Sequence, residues 1–253
     1  MQYLYGSGEG SAISVQAWRG LTDYVTAQVS KRPVDSVVLA SNATLAAPSF
    51  VPCGKKPFAA VFDVDETVLL NLGFEYSDAV NPRPYDEARW QAWEKTGADK
   101  VAAVPGAVQA LTALRELGIT VVFNTNRSAG NAAQTSAAID SAGLGPAVHG
   151  DTLFLAGDDA TGSKKDSRRA AIAAKYCVIA MGGDQLGDFS DLFNAGLAPM
   201  PRRGATLAAP VAAKWGAGWF VLPNPVYGSS LKGGFDDVFP ADKRWAEPAP
   251  TEK

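Results

Sequence analysis

The chain has 253 residues, of which 47% are hydrophobic and 19% charged, so it is long enough for one α/β domain with a substantial core and an appendage. The net charge of −3 and the lack of a basic tract argue against a nucleic-acid polymer or an anionic membrane as partner. No apolar stretch approaches the ~20 residues that a membrane-spanning helix needs.

The N-terminal part of the chain predicts helices. Its start lacks a charged segment followed by an apolar run, so an export signal is either absent or already removed. Residues 12–30 carry apolar side chains at helical spacing, and a second helix is predicted to follow Pro33 and to end near Asn42. A link rich in Pro and Gly then separates an N-terminal helical extension, residues 1–52, which we expect to pack on the rest.

From residue 58 onward, short apolar runs alternate with segments of helical spacing. The runs are continuously apolar, as in parallel strands covered on both faces: Phe58–Phe62, Ile119–Phe123, Thr152–Leu155, Cys177–Met181 and Trp219–Leu222. This alternation predicts an α/β fold with a doubly wound, Rossmann-like parallel sheet in residues 53–240. Residues 72–104 predict a small, mostly helical insert after the first strand, and residues 241–253 a poorly structured tail.

The chain has only two cysteines and one histidine, and this limits the kinds of catalytic site that it can form. Cys53 and Cys177 are too few for a disulfide framework or a cysteine-based zinc site. The single histidine, His149, lies in a turn-like segment that favours an exposed loop over a Ser-His-Asp triad. The sequence therefore predicts a site built mostly from carboxylates, lysine and hydroxyl groups.

Polar groups follow the ends of the predicted strands. Asp63 and Asp65 leave the first strand, and their mutual repulsion would be resolved by a divalent cation such as Mg²⁺, which prefers hard oxygen ligands. Thr125 and Asn126 follow the second strand. Lysines 164 and 165 precede a helix, and aspartates 184 and 188 follow the fourth strand. Ligands of open parallel sheets bind at the carboxyl ends of strands, so this order predicts one phosphate- and metal-binding site.

The ordered set Asp63-x-Asp65-x-Thr67, Thr125, Lys165 and Asp184…Asp188 resembles the haloacid dehalogenase (HAD) superfamily of phosphohydrolases. The segment Asp63-Val-Asp-Glu-Thr-Val-Leu-Leu-Asn71 more narrowly resembles the four-aspartate, class B/C-like acid phosphatases related to bacterial outer-membrane lipoprotein phosphatases and 5′-nucleotidases. The likeness covers roughly residues 5–230. It includes Ser7-Gly-Glu9, Gln16-Ala-Trp18, Trp90…Trp93, Val104-Pro-Gly-Ala107, Thr125-Asn-Arg127 and Leu222-Pro-Asn-Pro-Val-Tyr-Gly228.

The sequence departs from the family's pattern in two segments, and both bear on substrate preference. Leu72-Gly-Phe-Glu-Tyr76 replaces a small polar-proline-aromatic stretch, and Ser229-Ser-Leu231 replaces an aromatic residue. Both changes fall where they could touch the leaving-group pocket, so the resemblance leaves the natural ester open. The lipid-attachment cysteine of the lipoprotein members is also missing.

The resemblance implies a Mg²⁺-dependent phosphomonoesterase that forms an aspartyl-phosphate. Asp63 would be the nucleophile and Asp65 the general acid and then the general base. Lys165 would neutralise charge on the phosphoryl group, and is preferred to Lys164 because it has a Lys-x-x-Arg spacing. Thr125 and the amide of Asn126 would bind phosphoryl oxygens. The metal ligands would be Asp63, the backbone carbonyl of Asp65, Asp184, and Asp188 directly or through a neighbour.

Several side chains have an alternative, structural interpretation. The Thr67 hydroxyl is expected to bond to local backbone. Trp90 and Trp93 are three residues apart and are expected to form one packed helix face, although stacking on a nucleobase stays open. Tyr5, Trp18 and Tyr227 carry the same ambiguity.

Other functions of the scaffold differ in what they require. A dehalogenase would keep Asp63 but would not need Asp65, whereas a phosphotransferase or mutase would keep every site residue. A non-catalytic storage protein, as in plant relatives, would not need the nucleophile. A 5′-nucleotidase would be distinguished by its turnover of AMP. The expected partner is a small phosphate monoester, and a homodimer stays open.

The two cysteines allow two states. Counting back from Asp63 and Asp184 puts Cys53 and Cys177 about 33 and 23 Å below the metal if both segments are extended, which is too far apart for a bridge. A turn near Gly54 and Pro57 could bring them level. We expect two buried free thiols, with a disulfide as the alternative. A disulfide would suit the periplasmic or secreted location that the resemblance implies.

Overall fold

The computed structural model describes residues 1–247, which form nine strands and ten α-helices. The strands are β1 (Asp35–Leu39), β2 (Phe50–Pro52), β3 (Phe58–Phe62), β4 (Leu69–Leu70), β5 (Ala102–Ala103), β6 (Thr120–Ser128), β7 (Leu153–Ala156), β8 (Cys177–Gly183) and β9 (Trp219–Val221). The helices are α1 (Gln2–Gly6), α2 (Gly8–Lys31), α3 (Leu72–Val80), α4 (Glu87–Thr96), α5 (Ala107–Glu116), α6 (Ala132–Ser141), α7 (Asp166–Lys175), α8 (Pro199–Leu207), α9 (Ala209–Ala212) and α10 (Phe235–Val238).

Five strands form the predicted parallel sheet, in the order β7-β6-β3-β8-β9. The apolar runs become its strands because residues of both sides of the sheet are buried. Side chains of α2, α5 and α6 cover one face, including Leu21, Leu111 and Ile139. Ile172 from α7 and Phe189 and other side chains from the chain after β8 cover the other face. The α/β fold predicted from the alternation is confirmed.

The N-terminal region contains one long helix and a β-hairpin instead of two helices. Ser7 caps α2 by accepting a hydrogen bond from the Gly10 amide, and α2 ends where Arg32 adopts a left-handed φ of 44°. The predicted second helix is wrong, because its residues form β1, which pairs antiparallel with β2. The indole of Trp219 donates to the Val37 carbonyl (2.8 Å), and this bond fastens the hairpin to the sheet.

The insert after β3 consists of α3 and α4, and so is mostly helical as predicted. It begins after the short strand β4, which pairs antiparallel with β5. Asp86 caps α4 through the Arg89 amide (2.7 Å), and the Trp93 indole donates to the Asn71 side chain (3.1 Å). These contacts hold the insert beside the carboxyl end of the sheet.

Cys53 and Cys177 form a disulfide, so the expectation of two free thiols is wrong. Their Cα atoms lie 4.6 Å apart. Cys177 begins β8, and its backbone amide donates to the Pro57 carbonyl, while the Cys53 amide donates to the Val34 carbonyl. The chain between β2 and β3 therefore turns back to the start of β8 instead of extending away from it. The bridge lies at the edge of the sheet where β3 and β8 begin.

The chain after α10 forms a 3₁₀ turn at Ala241–Lys243, and the Arg244 guanidinium pairs with Asp236 (2.5 Å). The tail predicted to be poorly structured thus begins with ordered residues, and residues 248–253 of that prediction lie outside the described residues. No helix within residues 1–247 is both long enough and apolar enough to span a bilayer. The domain boundaries after residues 52 and 240 remain a prediction.

Candidate active site

Register within the sheet brings the two main aspartates together. Strands β3 and β8 are neighbours, with Phe62 opposite Gly182, so Asp63 and Asp184 leave the sheet side by side. The Asp63 amide donates to the Gly182 carbonyl (3.0 Å), which fixes the start of the loop after β3. Both side chains face a cavity of about 620 Å³ at the carboxyl edge of the sheet.

Three carboxylates form a compact acidic cluster at the bottom of this cavity. Asp63, Asp184 and Asp188 each offer an oxygen, and these atoms all lie within 4.8 Å of one another. Gly183 allows this approach, because a Cβ at that position would lie only 2.3 Å from the Asp188 Cβ. Such a set of close oxygen ligands suits a divalent hard cation.

Burial and like charge raise the proton affinity of this cluster. Burial raises the pKa of Asp63 well above its ordinary value, Lys165 opposes this shift, and Asp188 and Asp184 add to it. Burial and the neighbouring Asp188 raise the pKa of Asp184 to about 7. Positive charge near these oxygens favours their ionised forms, and a bound divalent cation would supply it.

Lys165 lies where the sequence predicts it, between two of the carboxylates. Its Nζ donates to Asp63 (2.5 Å) and to Asp188 (2.7 Å), and the side chain is buried. Burial alone would lower the pKa of Lys165, but Asp188 and Asp63 more than offset it and raise the pKa. Lys164 is exposed and makes none of these contacts, so the spacing argument that favoured Lys165 agrees with the geometry.

The backbone of Lys165 is positioned by Asp191, which the sequence analysis did not single out. The Asp191 carboxylate accepts from the amides of Lys165 (2.9 Å) and Asp166 (2.7 Å), while the Asp166 carboxylate accepts from the Asp191 amide (3.0 Å). The buried guanidinium of Arg169 donates to the carbonyls of Gly187 (2.9 Å) and Asp188 (3.0 Å). The start of α7 and the loop after β8 are thus joined as one unit.

Asp65 occupies a different environment from the acidic cluster. One oxygen of its carboxylate accepts from Arg127 Nε and from Asn71 Nδ2, both at 2.9 Å. Its other oxygen lies 3.5 Å from the Thr125 hydroxyl. The Asp65 side chain is therefore oriented by neutral and cationic donors, and it is not one of the three clustered carboxylates.

Glu66 is a functional candidate that the sequence analysis missed. Its backbone has a left-handed φ of 52°, and its buried carboxylate accepts from both tyrosines 5 and 227 and from the Asn71 side chain. Burial and the adjacent Asp65 raise the pKa of Glu66 to about 7, and the bonds from Tyr227 and Asn71 oppose this shift. The two tyrosines thus act as hydrogen-bond donors to Glu66. Through these bonds Glu66 connects the N-terminal region, which contains Tyr5, to the loop after β9, which contains Tyr227.

Asp184 is also oriented by neutral donors. Asn224 Nδ2 donates to its Oδ2 (2.7 Å), and the Thr67 hydroxyl donates to its Oδ1 (3.3 Å). The expectation that Thr67 bonds to local backbone is therefore wrong, because this hydroxyl reaches across to a different strand end. The motif residues of the segment after β9 could have indicated Asn224, since it belongs to the resemblance quoted above.

Thr125 and Asn126 lie within β6, which continues to Ser128, and not after the strand as predicted. The Thr125 hydroxyl accepts from the Arg127 amide (3.1 Å), and the Asn126 side chain accepts from Arg168 Nη2 (2.6 Å) and donates to the Ser163 carbonyl (3.0 Å). Asn126 lines the cavity. The Asn126 side chain thus joins the end of β6 to the segment that precedes Lys165.

The aromatic side chains of the motifs have several roles. Trp90 lines the cavity, while its ring contacts the edge of Phe74 (centroids 4.9 Å apart) and lies near the Arg127 guanidinium (5.8 Å). Trp93 packs near Phe74 and Trp18 against Phe62 in the core. His149 is exposed, as expected, and its Nε2 lies 2.7 Å from Asp158.

The two segments that depart from the family's pattern both reach the cavity. Phe74 and Glu75 line it from the insert, and Ser229 lines it from the segment after β9. The sequence analysis suggested that these segments could touch the leaving-group pocket. Their position beside Asp63 and Lys165 agrees with that suggestion.

The chain matches a known family and two solved structures over most of its length. The sequence profile of the HAD superfamily, subfamily IIIB (acid phosphatase), matches residues 11–230. The chain is similar to a class C acid phosphatase from Bacillus anthracis with tungstate bound, at 20% identity and a TM-score of 0.73, over 94% of this chain and 91% of that one. A second structure of the Bacillus anthracis class C acid phosphatase gives 22% identity and a TM-score of 0.73, over 90% and 83% of the chains. These structures share the fold.

Proposed function

The chain belongs to the acid phosphatases of HAD superfamily subfamily IIIB and is a phosphoric monoester hydrolase, and from this premise we propose that it uses Asp63 as nucleophile and Mg²⁺ as cofactor. One observation carries the proposal. The Asp63 carboxylate lies in a buried cluster with Asp184 and Asp188, and Lys165 Nζ is 2.5 Å from it. A nucleophile in this position has the Lys165 ammonium beside it, and it faces a cavity that can hold a phosphate ester.

Asp63, Asp184, Asp188 and the carbonyl of Asp65 would hold the metal. Their oxygen donors fit Mg²⁺, since buried carboxylates that share one small volume need a cation to stay ionised together. When bound, the ion would supply positive charge to the phosphoryl group and to the attacking carboxylate.

The chemistry of the chain's own residues follows in two steps. An Asp63 oxygen forms a bond to phosphorus, the bond to the leaving oxygen breaks, and Asp65 gives that oxygen a proton. Asp65 then takes a proton from water, whose oxygen attacks phosphorus and releases inorganic phosphate and free Asp63. Lys165, the Thr125 hydroxyl and the Asn126 amide would hold the phosphoryl oxygens throughout.

A broad phosphomonoesterase is favoured over a 5′-nucleotidase. The Trp90 ring, one candidate for stacking on a nucleobase, is in edge-to-face contact with Phe74 and has the Arg127 guanidinium 5.8 Å from its centroid, which limits the face that it offers to a base. Turnover of AMP well above that of small alkyl and aryl phosphates would reverse this preference. The same substrates with an added acceptor alcohol would detect phosphotransfer.

An exported location is also part of the proposal. The Cys53–Cys177 disulfide supports it, because such bonds persist in oxidising compartments and are rare in the reducing cytosol.

Trapping the phosphoenzyme tests both halves of the mechanism. The protein is mixed with excess aryl phosphate, quenched in acid, and analysed by mass for one added phosphoryl group on the peptide that contains Asp63. We expect the adduct with Mg²⁺, none after exhaustive EDTA treatment, and none in Asp63→Asn. Tungstate, seen bound to the Bacillus anthracis enzyme, should compete with substrate. Full turnover in EDTA would contradict the metal assignment, and an adduct on another residue would contradict the nucleophile.

A further inference from the structure

Glu75 is a largely buried side chain whose carboxylate opens on the cavity without a protein partner. It lies in the first turn of α3, is only 6% exposed, and lines the same cavity as Asp63 and Lys165. Within residues 1–247 its carboxylate makes no hydrogen bond and no ion pair with another side chain or with the backbone. Neighbouring Asp78, in contrast, pairs with Arg89 Nη1 at 2.6 Å.

An unpartnered buried carboxylate is costly, so it is rarely kept without a use. Burial raises the pKa of Glu75 to about 7, and Asp78 adds to this shift, while the Met1 amino group and Arg89 oppose it. No protein group within residues 1–247 pairs with this carboxylate, whereas the carboxylates of Asp65 and Glu66 nearby accept hydrogen bonds from Asn71.

The surroundings of Glu75 indicate what a partner would be. Phe74 and Trp90 line the cavity beside it, with their rings in edge-to-face contact. The Arg89 guanidinium carbon lies over the Phe74 ring, 4.6 Å from its centroid, so a cation already contacts this aromatic side of the cavity. A negative charge without a partner beside aromatic faces favours a cationic group over a neutral one.

We propose that Glu75 selects phosphate esters whose leaving group carries a protonated amine. This inference rests on the proposed function, because it places the phosphate at Asp63 and Lys165 and the leaving group against the insert. The amine donates to the Glu75 carboxylate while the aromatic wall covers the carbon chain. Glu75 belongs to the segment Leu72–Tyr76, which departs from the family's pattern described above.

The test compares two esters of nearly equal length. Ethanolamine phosphate carries the amine, and propyl phosphate replaces it with a methyl group. We expect kcat/KM of the wild type to favour the amine, and Glu75→Gln to reduce the ratio of the two values about 10- to 100-fold, the range for a hydrogen bond to a charged group. Asp99→Asn, at an exposed position outside the cavity, is the control, and it should change the ratio by less than about threefold.

Thermal unfolding gives a second measurement, in which Glu75→Gln should not weaken the protein although it weakens selectivity. Because Glu75 lacks a partner in the free protein, Glu75→Gln should leave the melting temperature unchanged or raise it. A wild type without preference for the amine, an unchanged ratio in Glu75→Gln, or a variant that is destabilised without losing selectivity would each overturn the inference. Turnover of p-nitrophenyl phosphate distinguishes failure of this inference from failure of the proposed function. This ester has no amine, so an active phosphatase should hydrolyse it whether or not Glu75 selects amines.

Discussion

Asp63 and Asp65 are separated by one residue but lie in different electrostatic environments. Asp63 faces Lys165 and two carboxylates, whereas Asp65 faces Arg127 and Asn71. Two carboxylates in different surroundings can take different roles, one as nucleophile and the other as proton carrier. Arg127 and Asn71 donate to the same oxygen of Asp65 and so hold its side chain in one orientation.

In the proposed mechanism the Asp65 carboxyl group acts as acid and then as base, so Asp65→Asn should slow turnover about 10²–10⁴-fold. The loss in the first step should be larger for an alkyl phosphate than for p-nitrophenyl phosphate, whose leaving group needs little protonation. Steady-state and single-turnover rates on both esters measure this, with Asp99→Asn at an exposed position as control. Near-normal turnover of the alkyl ester would mean that another group protonates the leaving oxygen.

Glu75 also gives a prediction for stability against pH. Its pKa of about 7 in the folded protein lies above its ordinary value of 4.5, so the folded state holds this proton more tightly than the unfolded state. The stability that Glu75 contributes is therefore present below about pH 4.5 and is lost as the pH rises through 7. Asp78, Arg89, Tyr5 and the Met1 amino group face the same carboxyl group.

Glutamine does not titrate, so Glu75→Gln should gain stability relative to wild type as the pH rises from about 4.5 to 7, and no further above it. Urea unfolding of both proteins across this range gives the difference in free energy of unfolding, in which the titration of shared groups cancels. A difference that is constant with pH would contradict the prediction.

At the scale of single residues, the sequence predicted the charged side chains at the strand ends, but it did not predict the hydrogen-bond partners that position the site. Lys165, Asp184 and Asp188 follow directly from their positions after strands or before a helix. Glu66 could not be assigned, because its partners Tyr5 and Tyr227 are distant in sequence and meet it only through tertiary packing. The same is true of Asp191, which acts on a helix that begins 25 residues earlier.

The start of helix α7 shows how an element positions the side chain of Lys165, which directly precedes it. Asp191 accepts from the amides of Lys165 and Asp166 at the start of α7, and so acts as a cap supplied by another segment. Removing it should free both amides and loosen the position of the Lys165 side chain relative to Asp63.

Asp191→Ala should cost about 0.5–2 kcal/mol of stability, as other capping losses do, and should also lower kcat. Asp86→Ala is the matched control, because Asp86 caps α4 by the same type of bond but does not contact Lys165. It should cost similar stability with a much smaller effect on kcat, measured with p-nitrophenyl phosphate below the unfolding transition. Equal losses of kcat in both variants would mean that Asp191 has only a structural role.

At the scale of elements, the parallel sheet was predictable because its strands are buried on both faces and so are apolar without interruption. Strand β1 was not predicted, although Val37, Val38 and Leu39 form such a run. Its residues are too few to distinguish helix from strand by periodicity, and its partner β2 begins 11 residues after β1 ends. Pairing with β2 and packing against Trp219 decide its conformation.

Across the whole molecule, the candidate active site and the disulfide lie at opposite edges of the sheet. The acidic cluster lies where β3 and β8 end, and the disulfide lies where the same two strands begin. Cys53 reaches that level because the chain turns between β2 and β3: the Lys56 amide donates a hydrogen bond to the Cys53 carbonyl (3.3 Å), and Gly54 has a left-handed φ of 56°. Counting residues along an extended path could not reveal this turn.

The bridge should therefore contribute to stability without contributing to catalysis. It joins residues 124 positions apart, and closing so long a loop restricts the unfolded chain, which corresponds to about 2–5 kcal/mol. For a chain of this size each kcal/mol moves the melting temperature by about 2–4 °C, so reduction should lower it by roughly 4–20 °C. At temperatures where the reduced protein stays folded, kcat should be unchanged, because the bond lies at the opposite edge of the sheet from Asp63.

Thiol titration of the unfolded protein without reductant should detect no free thiol, and two after reduction. The melting temperature of the double variant Cys53→Ser, Cys177→Ser should be low and should not respond to reductant, which controls for other effects of the reagent. Two reactive thiols in the untreated protein would remove the disulfide and, with it, the support that the bond gives to an exported location. A parallel loss of kcat on reduction would instead show that the two edges of β3 and β8 are coupled through the sheet.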